Sequence, residues 1–152
     1  MGVGNIGSAG FLDLIYLEGV MERLCQFFCK LFGWKPTGKF VQLKVDESSD
    51  PTLIGKMLKG TIYSVTEDNV TNLKETSMPS GGFYAIIKLE SPLRIRNKEF
   101  NWLVVVPRHT GYGFYRLCLT WIAVYIYQIE EPIANKEINS EDVLGVGIMK
   151  IK

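Results

Sequence analysis

One histidine and three cysteines are all the imidazoles and thiols that this chain of 152 residues offers. So few cysteines, and an odd number of them, exclude a disulfide framework as the basis of the fold. A single histidine excludes any mechanism that divides acid and base work between two imidazoles. A dominant charge is missing too. Seventeen basic residues face 16 acidic ones, a net of +1, so no overall field steers the protein toward nucleic acid or acidic surfaces. No apolar run is clean enough to span a bilayer, because Phe11–Trp34 is broken by Asp13, Glu18, Glu22, Arg23 and Lys30. The N-terminus has no basic start ahead of its apolar stretch, so no secretory leader is expected, and Asn69-Val70-Thr71 matches the glycosylation triplet by chance. These absences point to a cytoplasmic protein with reduced thiols.

What is present is apolar and patterned. Hydrophobic residues make up 47% of the chain and charged residues 22%, a balance that folds. The length suits one domain that buries about two-thirds of its unfolded surface. Residues 1–10, rich in glycine, are expected to form a flexible lead-in and 11–34 a helix. From Leu17 the apolar residues fall at Leu17, Val20, Met21, Leu24, Phe27, Phe28, Leu31 and Phe32, three and four apart, with Glu18, Glu22, Arg23, Gln26 and Lys30 opposite. Gly33 and then Pro36 end it.

Past Pro36 the period changes from 3.6 to 2. Strands are expected around Val41–Val45, Leu58–Val65, Phe83–Leu89 and Phe100–Val106, with Pro92 as an interruption and Asn97-Lys98 as a hairpin turn. The run Leu117–Ile129 is apolar on both alternating faces, which suits a strand covered on each side. Thr66–Gly82 is a long polar loop. Residues 39–129 therefore read as a mainly β domain, a small antiparallel β barrel of about five strands that resembles SH3-like or OB-like architectures. The tail, residues 133–152, supplies an edge strand at Val143–Ile151. The helix is expected to pack on the barrel, because burying each large apolar side chain stabilises by roughly 1.5–3 kcal/mol.

Chemical signals are sparse. Gly2-Val3-Gly4-Asn5-Ile6-Gly7 fits the spacing of a dinucleotide-binding loop, but no strand can precede it, and Ile6 breaks the myristoylation pattern. Cys25, Cys29, Cys118 and His109 are the right elements for zinc at the wrong spacing, so buried thiols are expected and no metal or cofactor. Cys118 lies in an apolar run, where a thiol is inert, which leaves an enzyme using His109 as a minor reading.

One basic stretch stands out, with Arg94, Arg96, Lys98, Arg108 and Arg116 against Glu99. Within it, Arg108-His109-Thr110-Gly111-Tyr112-Gly113-Phe114-Tyr115-Arg116 combines donors, rings and backbone freedom. The expected function is a non-enzymatic binding module that recognises another protein through Arg94, Arg96, Trp102, Arg108, His109, Tyr112, Tyr115 and Arg116, with Arg and Tyr as anchors. Nucleic-acid or phosphate-ligand binding through the same residues is the alternative. A second copy of the chain could join through Leu17–Phe32. The cancelling charges on the helix argue against a membrane surface.

Overall fold

The computed structural model describes residues 20, 23–24, 27–66, 84–108, 114–118, 120–132 and 142–152. The lead-in, most of the first half of the expected helix, the long loop, His109, Tyr112 and Cys25 lie outside the described residues.

Six strands form one closed antiparallel barrel: β1 (Phe40–Ser48), β2 (Met57–Thr66), β3 (Tyr84–Ile95), β4 (Lys98–Pro107), β5 (Ile122–Ile129) and β6 (Val143–Ile151). Each strand pairs with its neighbour in sequence, and β6 returns to pair with β1. Closure removes every sheet edge. Val143–Ile151 is therefore not an edge strand; it is bonded on both sides and makes the barrel six-stranded. The consecutive order is an up-and-down winding, unlike the five-stranded Greek key of an OB barrel.

The strand boundaries depart from the sequence pattern in three places, each for a local reason. Pro92 does not end β3. The strand runs through it with a register shift between Lys88 and Leu93, which frees the position where proline cannot donate. The hairpin between β3 and β4 turns at Arg96 and Asn97, one residue earlier than expected, both with positive φ (49° and 66°) as a tight two-residue turn requires. Leu117 and Cys118 belong to a short 3-10 turn, Tyr115–Cys118, so β5 begins only at Ile122.

Alternate residues fill the interior. Val41, Leu43, Ile62, Ala85, Ile87, Leu103, Val105, Val124, Ile126 and Met149 belong to one buried cluster. Leu53, on the 3-10 turn Pro51–Leu53 between β1 and β2, joins it from one end, and Phe114 and Leu117 join it from the loop between β4 and β5. The β1–β6 seam is unusually close. A Cβ on Gly147 would lie 2.0 Å from the Lys44 carbonyl oxygen, and one on Gly145 1.9 Å from that of Glu47, opposite the irregularity in β1.

Part of the outer face of β3, β4 and β5 is also apolar and buried. Tyr84, Ile86, Val104, Val106, Tyr127 and Ile129 form a second buried cluster, with Trp102 and Tyr125 packed against it. The two-faced apolar pattern of β5 thus corresponds to a strand covered on both sides.

Candidate functional site

Alternating strand directions give the barrel two ends. At one lie the Pro51–Leu53 turn and the β3–β4 hairpin. At the other lie the start of β1, the paired residues Thr66 and Tyr84, the end of β4 and the 3-10 turn before β5. The sequence-designated residues divide between them. Arg94 and Arg96 are exposed at the hairpin end, while Arg108, Tyr115 and Arg116 are at the opposite end. The ten residues of β4 separate the two groups by roughly 30 Å. Trp102 sits midway on the outer wall, edge-on to Tyr63 with ring centroids 5.0 Å apart and Lys88 near its face. The basic stretch is continuous in sequence and divided in space.

At the end of β4, the Arg108 amide donates to the Ala123 carbonyl at 2.9 Å, and its guanidinium lies 5.3 Å from the centre of the Tyr125 ring. Beside it, burial and the neighbouring Tyr125 push the Tyr127 phenol up to about 12. This corner is a cation seated on an aromatic wall.

The same end carries the N-terminal helix, described over residues 27–32 together with Val20, Arg23 and Leu24. Its termination fixes how it meets the barrel. Gly33 takes φ 69°, its amide reaches the Lys30 carbonyl at 3.4 Å, and the Trp34 amide reaches that of Cys29 at 2.8 Å. That bonding pattern is a Schellman cap, which brings residues 29 and 34 together. Both then face the barrel. Cys29 is buried, its Sγ 3.4 Å from Cys118 Sγ, and Trp34 packs 6.2 Å from Tyr115, ring centre to ring centre.

With Cys29 facing inward, the broad apolar arc of the helix faces away. At about 100° per residue, Leu24, Phe27, Phe28, Leu31 and Phe32 span an arc whose centre lies some 130° from Cys29. All five are exposed, from 44% at Leu24 to 77% at Phe32. Phe28 stacks on Phe32 and meets Phe27 edge to face, so the patch is contiguous. The helix docks on the barrel, but the barrel does not cover these residues as their periodicity led us to expect. Arg23, Lys30 and Lys35 are exposed nearby, and no acidic residue occurs between Arg23 and Val45.

A separate cleft of about 270 Å³ opens where β2 and β3 diverge beyond the Gly60–Leu89 pair, lined by Lys56, Lys59, Glu90, Ser91 and Leu93 among others. Its lining includes neither histidine nor cysteine. Among the described residues no group of three side chains could hold a metal ion, and no helix is long and apolar enough to cross a membrane.

The architecture defines a closed six-stranded up-and-down barrel with a helix docked at one end. No family model matches the chain, and neither a curated protein nor a solved structure matches it.

Proposed function

We propose that the protein is a non-enzymatic binding module that recognises another protein through the end of the barrel bearing the helix. The observation that carries this reading is the exposed apolar face of Leu24, Phe27, Phe28, Leu31 and Phe32. Leu24, Phe27, Phe28 and Leu31 stand at i, i+3, i+4 and i+7, the spacing by which a helix seats itself in a partner's groove. Lys30 and Lys35, exposed at the same end, fit a partner with an acidic rim. Tyr115 and Arg116 lie next to the helix base and extend the surface, and Arg108 belongs to the same end. This retains part of the contact region expected from sequence and moves its centre to the helix. The nucleic-acid reading draws less support, because Arg94 and Arg96 stand a strand's length from Arg108.

The test is a photo-crosslinking side chain placed at Phe28 and, as control, at Lys59 on the barrel wall. The expected result is a discrete adduct with a second protein species from Phe28 alone. Purified, that partner should bind the intact chain, and Phe28→Ala should weaken binding tenfold or more, as anchor truncations do. Adducts only with a second copy of the chain, or only with lipid, would overturn the reading and reassign the helix face.

A further inference from the structure

The helix base holds a second feature, independent of the exposed face. Cys29 and Cys118 are 89 residues apart in sequence, yet their sulfurs lie 3.4 Å from each other as two unjoined thiols. The Schellman cap fixes Cys29 from one side, and the 3-10 turn Tyr115–Cys118 holds Cys118 from the other. Each thiol is therefore delivered by a short, hydrogen-bonded segment. The Cys29 thiol also reaches the Tyr115 carbonyl at 3.9 Å, so the two sulfurs and the turn form one contact. Closing from van der Waals separation to a covalent bond requires each sulfur to move by well under 1 Å, given a bond length of about 2.05 Å.

We propose that Cys29 and Cys118 form a reversible modification site, a disulfide made by exchange with a low-molecular-weight disulfide such as oxidised glutathione. The order of attack follows from exposure. Cys118 is partly exposed while Cys29 is buried at 4%. The Cys118 thiolate attacks the small disulfide, releases one equivalent of small thiol and carries the other half as a mixed disulfide. The Cys29 thiolate then attacks the Cys118 sulfur, forms the protein disulfide and expels the second equivalent of small thiol. Two protein thiols are oxidised, one small disulfide is reduced to two thiols, and the protons of the cysteines pass to the departing thiolates. The bond would tie the helix to the barrel where Cys29 already meets Cys118. In the reduced protein that attachment rests on Cys29 and Trp34, so the redox state sets how firmly the apolar face is presented.

The experiment equilibrates the full-length chain across a glutathione series from reducing to oxidising and reads the mass, the free thiols and the tryptic map. Cys25 and Cys29 share the tryptic peptide Leu24–Lys30, so the series is run on Cys25→Ser as well as on the natural chain. The expected result is loss of two hydrogens in both, with Leu24–Lys30 joined to Leu117–Lys136. The link should form at a glutathione ratio at least roughly tenfold more reducing than any link in Cys29→Ser. The melting midpoint of Cys25→Ser should rise by roughly 5–10 °C on oxidation, since the bond closes a long loop. Mixed glutathione adducts without a protein disulfide in folded Cys25→Ser would overturn the proposal. So would Cys29→Ser linking Cys25 to Cys118 as readily. The melting midpoint of each reduced variant shows whether it is folded, and a variant that fails to fold is replaced by the alanine substitution at the same position.

Discussion

The interior of the barrel and the outer face of its helix are built from the same residue types and are treated in opposite ways. Inside, Leu103, Ile62, Val105 and Phe114 are fully shut off from water. Twelve residues or fewer from the barrel's first strand, Phe28, Leu31 and Phe32 stand half to three-quarters exposed. The barrel needs nothing from the helix to close, because β6 meets β1 and the loops supply Leu53, Phe114 and Leu117 to the core. A helix that the core does not require is free to present its apolar side. Periodicity gives the same signature for a face that packs inward and a face that waits for a partner.

The sharpest way to break the comparison is a pair of truncations to alanine. Phe114→Ala should cost about 4 kcal/mol in urea unfolding, since it deletes a fully buried ring. Phe28→Ala, the same chemical change, should shift stability by no more than about 0.5 kcal/mol. Similar losses at both positions would mean that the helix face is part of the core after all.

The glycines sharpen it next. Gly147 is glycine because β1 passes within contact of its missing side chain, so Gly147→Ala must push the Lys44 carbonyl away and open the seam that closes the barrel. A loss of about 3 kcal/mol is expected. Gly33 has open space around its missing Cβ and is glycine only for its left-handed φ. Gly33→Ala should cost about 1 kcal/mol, all of it backbone strain. Equal losses by thermal and urea unfolding would remove the distinction between steric room and conformational freedom.

The chain announces much of the barrel and little of its site. The alternation of Val41, Leu43 and Val45 and the two-faced run in β5 are local patterns, and local patterns survive in sequence. Gly145-Val146-Gly147 inside an apolar run was a legible sign of close backbone approach that pattern reading passed over. Closure was not legible, because whether Val143–Ile151 ends as an edge or pairs twice depends on curvature summed over five other strands. The site misled for a related reason. Arg94 and Arg108 are near in sequence, but β4 carries the chain from one end of the barrel to the other between them. Cys29 and Cys118 meet although nothing in their spacing indicates it. Contacts that the topology makes leave no periodic trace.

The smallest effect concerns the outer wall of the barrel, where the apolar covering includes an ionisable group. Tyr127 belongs to the buried cluster on the outside of β3, β4 and β5, and its phenol is pushed from the ordinary 10.0 up to about 12, first by burial and then by the charge of Tyr125. Below about pH 10 the phenol is protonated in both folded and unfolded chains, and it contributes no pH dependence. Between about pH 10 and 12 the unfolded chain releases this proton while the folded chain keeps it. The folded state then binds more protons, so stability falls as pH rises through that window. Tyr127→Phe removes the group from the balance and leaves every other tyrosine and lysine in place. The urea midpoint of the natural chain should therefore drop faster than that of Tyr127→Phe from about pH 10 upward, with the two curves parallel below it. Curves that stay parallel through pH 11.5 or so would show that water reaches the phenol and that the outer wall is open, as the helix face is.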